Sequence, residues 1–316
     1  MSATDQAGLA KTSRPPILVT GAHRTGTTWV GKMLATGGEV VYISEPLNRW
    51  HRPGVMRLPV RHWYTYICPE NEGAYLTALR QTLALRYQIW AELRALRSGK
   101  DLLRMGRDWG IFTRGQIFKQ RPLLKDPFAV FSAPWFVERL GCRAVVTLRH
   151  PAAFASSLKR LGWDFDFQDL LSQPLLRRDW LEPYREQMVE IKNEDIVAQG
   201  ALLWRLVYQA VETYARQIPG VRVVRHEDLS SDPLEGFQNL YQELGLQFTP
   251  SARRAILKSS AEGNPQELSR ANAHAVRLDS RGSLDNWKRR LTGEEIRRVR
   301  ELTGELAERY YPAETW

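Results

Sequence analysis

Cysteine is scarce in this 316-residue sequence: Cys68 and Cys142 are the only two, far apart and in unlike surroundings. They build no disulfide framework and no paired-cysteine metal site, so a reducing, cytoplasmic setting is the expectation. No stretch approaches the ~20 apolar residues of a membrane-spanning helix. Residues 1–14 contain no apolar core of signal-peptide length, and this stretch is expected to be a disordered tail. Internal repeats and low-complexity segments are also missing, so nothing points to a repeat array. Acidic residues are outnumbered, 35 Asp and Glu against 45 Lys and Arg, for a formal charge of +10. That balance favours an anionic partner, whether a nucleotide, an acidic acceptor, nucleic acid or a membrane surface. Charge alone does not choose among them.

One stretch organises the rest. The apolar run Ile17-Leu18-Val19 leads into Thr20-Gly21-Ala22-His23-Arg24-Thr25-Gly26-Thr27-Thr28-Trp29 and then into a helix-like run through Leu34. A strand, a glycine-bounded turn and a helix start form an anion hole, because the first helical turn leaves N–H groups without partners. The spacing Gly21 to Gly26 fits the P-loop pattern GxxxxGK[ST], except that Thr27 stands where the lysine belongs. A cation appears inside the loop instead, at Arg24, whose guanidinium can fork onto phosphate or sulfate oxygens. The loop therefore suits a phosphorylated ligand and is a poor match to a Mg-ATP kinase.

Further strands are read at Glu39–Ile43, Pro122–Lys125, Ala144–Leu148 and Val221–Val224. Each ends in polar residues: Glu45, Lys125-Asp126, Arg149-His150 and Arg225-His226-Glu227-Asp228. With helices between them and no hairpin signal, the strands predict one α/β domain over 15–316, with a roughly five-stranded parallel sheet covered on both faces. Residues 47–120 and 163–195 break the alternation and are read as lid insertions. In the first, Leu76, Leu79, Leu83, Tyr87 and Trp90 step by three and four, predicting one buried helical face. Ligands of open α/β sheets bind at the carboxyl ends of the strands, which puts Glu45 and Lys125 near the Arg24 loop. Thr292 with Glu295 predicts a capping box for a last helix toward Tyr310.

Four of these elements together resemble the sulfotransferases that use 3′-phosphoadenosine 5′-phosphosulfate (PAPS). The 5′-phosphosulfate loop of that family looks like Arg24-Thr25-Gly26-Thr27-Thr28-Trp29. Its 3′-phosphate site resembles a strand-end arginine followed eight positions later by a helix serine, here Arg149 and Ser157. Its later RKG element looks like Arg281-Gly282, although Ser280 precedes this arginine and no lysine follows it. The third strand ends in Lys125-Asp126-Pro127, as in tyrosylprotein-type and several bacterial members, which carry a glutamate shortly after the 5′ loop. Glu45, 21 positions after Arg24, matches it.

The resemblance implies transfer of the sulfuryl group of PAPS to an acceptor hydroxyl of a small molecule, glycan, lipid or peptide, without a metal. Arg24, Lys125 and the N–H groups of residues 25–28 would hold the phosphosulfate and its developing charge, with Glu45 as the base. Arg149 and Ser157 would hold the 3′-phosphate, and Trp29 either stacks on adenine or faces the core. Asp126 is the reserve base and otherwise a partner of backbone amides. His23 and His150 are expected to flank the site without catalysing. Two other readings stand beside this one: a P-loop nucleotide or small-molecule kinase, and a basic nucleic-acid or lipid binding module.

Overall fold

The computed structural model describes residues 14–192, 194–267 and 275–316. The tail expected over residues 1–14 lies, but for Arg14, outside the described residues. Five strands, β1 (Ile17–Gly21), β2 (Val40–Ser44), β3 (Arg121–Lys125), β4 (Arg143–Leu148) and β5 (Val221–Arg225), form one sheet in the order β2-β3-β1-β4-β5. All four pairings are parallel. Ser44 and Val19 both lie beside Lys125, Gly21 beside Thr147, and Leu148 beside Arg225, so the carboxyl ends form one row.

Although the strands are apolar throughout, their side chains alternate between two layers, as the pleat requires. Leu18, Ile43, Leu124, Ala144, Val146 and Leu148 face one core, while Ile17, Val19, Val40, Leu123 and Val145 face the other. The second layer is closed by α1 (Thr27–Ala35), which contributes Trp29, Val30, Met33 and Leu34. Two later helices, Pro233–Glu243 and Pro250–Ser260, complete that layer.

The first insertion holds three helices, α2 (Leu76–Leu83), α3 (Ile89–Ala95) and α4 (Gly99–Ile117). The single helix expected from Leu76 to Trp90 is thus two. Leu85 turns back with φ 56°, its N–H donating to Thr82 O and the next N–H, of Arg86, to Gln81 O. This is a Schellman ending with a leucine in the left-handed position usually held by glycine. Leu85 is nevertheless buried, and Trp90, now on α3, is 74% exposed. Burial of one leucine overrides the continuation of the stripe.

After β3 come α5 (Ala133–Leu140) and, beyond β4, α6 (Pro151–Leu161), which starts on a proline suited to the first turn. The second insertion carries only short helices, α7 (Gln168–Leu171), α8 (Pro174–Leu176) and α9 (Arg185–Glu190). Then α10 (Ile196–Gln217) runs through the first core with Trp204, Tyr208 and Tyr214 fully buried. Beyond β5 lie α11 (His226–Ser231), α12 and α13 (the two helices of the second layer), α14 (Asn286–Arg290) and α15 (Gly293–Tyr310). α15 begins in the expected Thr292–Glu295 capping box.

The long α10 also reaches the functional edge. Tyr208 Oη accepts from Ala22 N–H at 3.3 Å and donates to Thr147 O at 2.8 Å, joining the ends of β1 and β4. Tyr208→Phe leaves both backbone groups unpaired in a dry layer. The substitution should lower the unfolding free energy by about 1–3 kcal/mol, read from urea denaturation; an unchanged midpoint would contradict this role.

Candidate active site

Each of the five strand ends supplies at least one group to the same edge. From one side of the sheet to the other these are Glu45 after β2, Lys125 at the end of β3, His23 and Arg24 after β1, Arg149 after β4, and His226 after β5. With neighbouring strands ~4.8 Å apart, the row from β2 to β4 spans about 14 Å. Glu45, His23, Arg24, Arg149 and His226 line one cavity of about 580 Å³, together with Gly26, Thr27, Thr28 and Trp29.

The loop after β1 shapes the centre. Gly21 takes φ 138° with its Cα against Thr147, where a Cβ would sit 2.4 Å from Thr147 O. Gly26 caps α1 at φ 95°, and a Cβ there would meet His226 Nδ1 at 2.7 Å. No side chain caps α1, so its first-turn N–H groups face the cavity side without a protein carboxylate or hydroxyl on them. Thr25 is buried, its hydroxyl donating to Ala22 O at 2.6 Å and sharing a hydrogen bond with Thr147.

Cations gather on that helix start. Arg24, at φ 67°, stacks over the Trp163 ring at 5.6 Å. Arg149 Nη1 donates to the backbone carbonyl of Arg24 at 3.1 Å, while its buried Nε has no hydrogen-bond partner. Burial, then repulsion from Arg149 and Arg160, lowers Arg24 to about 10. Burial lowers Arg149 as well, with Glu227 opposing and Arg290 adding to the shift. His226 is driven down to about 3 by burial and by Arg149, and its Nδ1 also lacks a partner. Such a cluster is costly when empty and favours an anion.

At the β2 side, Glu45 takes φ 51°. Its Oε1 pairs with the buried Lys125 ammonium, and its Oε2 accepts from Asn48 Nδ2 at 2.6 Å. A carboxylate has about four acceptor sites, so these two bonds leave Glu45, on the cavity wall, able to accept a further hydrogen bond. Of the four described non-glycine residues at positive φ, Leu85 and Lys119 end helices, whereas Arg24 and Glu45 stand at strand ends. Strain of this kind collects at functional positions.

Asp126 is fully buried and accepts from Leu47 N–H at 2.5 Å and Phe128 N–H at 3.0 Å. It holds the loop that carries Glu45, in line with the amide-partner reading of this residue. His150 is also structural, stacked on Trp287 at 4.9 Å and accepting from Ala152 N–H. His23 lies on the wall, its Nδ1 2.7 Å from Tyr64 Oη, and burial with Arg24 beside it lowers it to about 4, keeping it neutral.

Other expected site residues sit differently. Ser157 is buried under Arg24, its Oγ accepting from Arg24 Nε at 3.4 Å, and does not itself line the cavity. Lys125 likewise stands behind Glu45. Trp29 faces both ways: its Nε1 donates to Ser259 and its ring packs edge-on against Phe237 at 5.1 Å, yet it forms part of the wall. Arg281 and Gly282 stand outside the wall; Arg281 Nε donates to Ser231 O at 2.6 Å, and Gly282 N–H is tied to Asp279. Their neighbour Ser280 is the one that reaches the cavity.

His226 carries no role in the residue pattern, and the aromatic lid segments suit a sugar or phenol acceptor without marking which of Trp63, Tyr64, Trp163 and Phe165 line the cavity's other arm. The strand-end rule that selects 45, 125 and 149 would have selected 226. The aromatics fall in insertions without a pattern.

A sequence profile described as the sulfotransferase family matches residues 15–250. The chain is a sulfotransferase. Among its relatives, the mouse (Mus musculus) carbohydrate sulfotransferase 5 is 24% identical over 343 aligned positions, covering 94% of this chain and 80% of that protein. The sulfotransferase domain of the Synechococcus PCC 7002 olefin synthase is 17% identical with a TM-score of 0.47, covering 94% of each chain. Mouse sulfotransferase SULT7A1, solved in complex with PAP, is 13% identical with a TM-score of 0.47, covering 93% of this chain and 85% of that one.

In this sulfotransferase, burial, then the nearby Glu45, pushes Asp126 up to about 7 from 3.8. The folded state therefore holds that proton more tightly than the unfolded chain, and the stability it brings is lost as pH rises from about 4 to about 7. Measured by urea unfolding, the stability of the wild type relative to Asp126→Asn should fall across that range. A difference that is flat with pH would refute the shift.

Proposed function

We propose that this sulfotransferase uses PAPS as donor and transfers its sulfuryl group to an acceptor hydroxyl, with Glu45 as the base. One observation carries the reading: Arg24 and Arg149 converge on the uncapped start of α1, with Arg149 Nε and His226 Nδ1 unpartnered. Those orphaned polar groups and the row of strand ends suit a ligand with anionic groups at both ends. The donor supplies the sulfuryl group and a phosphate leaving group. The chain supplies the rest.

The N–H groups at the start of α1 and the Arg24 guanidinium hold the phosphosulfate end, where negative charge grows in the transition state. Lys125, buried behind Glu45, adds positive charge on the same side and fixes the carboxylate. Arg149 binds the 3′-phosphate, with Ser157 positioning Arg24 from beneath; Arg281 and Gly282 stand at the edge of this end. Glu45 takes the hydroxyl proton as the new S–O bond forms. No group of three or more His, Cys, Asp or Glu side chains among the described residues is set to hold a metal.

The acceptor arm is walled by Trp50, Trp63, Tyr64, Phe128, Trp163 and Phe165. Flat apolar faces of this kind stack on a sugar ring or a phenol, and one relative is named for a carbohydrate acceptor. We infer a ring-bearing acceptor. Both cysteines are free and buried, which supports a reducing, cytoplasmic place of work.

Calorimetry with the desulfated product, 3′-phosphoadenosine 5′-phosphate (PAP), should give micromolar binding that Arg24→Ala weakens at least about tenfold. Glu45→Gln should leave that binding intact while turnover falls on the order of 10²-fold or more. Absence of PAP binding would overturn the donor; wild-type turnover in Glu45→Gln would remove the base.

A further inference from the structure

A second surface, away from the cavity wall, is not absorbed by sulfuryl transfer. Helices α3 and α4 expose large apolar side chains: Trp90 is 74% exposed, Leu103 77%, Ile117 70% and Trp109 50%. At 100° per residue, Leu102, Leu103, Trp109 and Ile117 fall within an arc of about 120° on α4. The buried face, Met105, Phe112 and Gly115, is centred about 140° round the helix from that stripe. Between the two, Lys100, Arg104, Arg107 and Arg114 form a basic band about 80° wide.

From residue 86 to 119 there are eight Lys and Arg and three acidic residues, a balance of +5. The acids are already committed. Glu92 is buried and, with Asp108, is bound to Arg52; Asp108 also pairs with the exposed Arg107; Asp101 caps α4 with Ser98 and pairs with Arg104. The exposed face of α4 is thus a Trp- and Leu-bearing stripe edged by cations.

Charge decides what such a face fits. A second copy of the chain would set Arg107 and Arg114 against their equivalents with no free carboxylate to meet them. A nucleic acid would satisfy the arginines but gain little from Leu102, Leu103 and Ile117. Anionic lipid satisfies both parts: the apolar stripe enters the acyl boundary, and the long basic side chains reach headgroup phosphates.

We propose that α3 and α4 form a peripheral docking face for an anionic membrane surface. No helix among the described residues is long and apolar enough to cross a membrane, so the docking lies in the plane of the interface. Arg52 ties the face to the rim of the active site: the same chain segment holds Asn48 and Trp50, which line the cavity. A docked enzyme therefore holds its acceptor arm at a fixed relation to the lipid surface.

Flotation of the full chain with vesicles of phosphatidylcholine, with and without phosphatidylglycerol, tests this independently of any sulfotransferase activity. Binding is expected only to the anionic vesicles and should fall with added salt. Leu103→Ser/Trp109→Ser should weaken it at least about tenfold, and Arg107→Glu/Arg114→Glu should abolish it, both with an unchanged thermal midpoint. The proposal is overturned if the two vesicle types bind alike or if the variants float like wild type. It is equally overturned if the chain forms a dimer that these substitutions dissolve, or if it prefers polynucleotide to vesicles.

Discussion

The parallel register of β2, β3, β1, β4 and β5 is the constraint on which the site rests. Because Val19 and Ser44 both sit beside Lys125, and Gly21 beside Thr147, all the strands stop along one line. The closeness of β1 to β4 at that line leaves no room for a Cβ on Gly21. Tyr208 then fastens the two ends from below. Five loops leaving a common edge deliver a carboxylate at one end, cations in the middle and a neutral imidazole at the other.

The electrostatics of that edge run against folding and toward binding. Arg24 and Arg149 are held together by a bond to the Arg24 backbone, not by any acid between them, and burial with mutual repulsion lowers Arg24 to about 10. Glu227 offsets part of the burden on Arg149. The carboxylate that sits nearest the loop's other side is committed to Lys125 and Asn48. An incoming dianion therefore meets donors that the protein leaves underused, because Glu45, held by Lys125 and Asn48, does not neutralise Arg24 or Arg149.

Much of this was legible in the residue pattern, because strand ends carry their chemistry in adjacent residues. Glu45, Lys125 and Arg149 each follow an apolar run, and Gly21 with Gly26 marks the turn between β1 and α1. Legibility failed where long-range packing decides. Leu85 breaks a helix because it is buried against the sheet, and nothing in Leu76–Trp90 announces that. Ser157 has the right spacing from Arg149 but turns under Arg24. Arg281 matches a motif position yet reaches Ser231. Trp63, Tyr64 and Trp163 converge from segments about 100 residues apart, and no local periodicity encodes such a meeting.

The central claim is that the neighbouring ends of β1 and β4, in the middle of the strand row, bind two separate anionic groups of one nucleotide through Arg24 and Arg149, with Arg149 responsible for the second. Comparing the affinities of PAP and adenosine 5′-phosphate by calorimetry tests it most directly. A charge-assisted contact worth ~1.5–3 kcal/mol predicts a preference for PAP of about 10- to 100-fold, collapsing to nearly equal affinities in Arg149→Ala. Equal affinities in the wild type, or a preference that survives Arg149→Ala, would contradict the account.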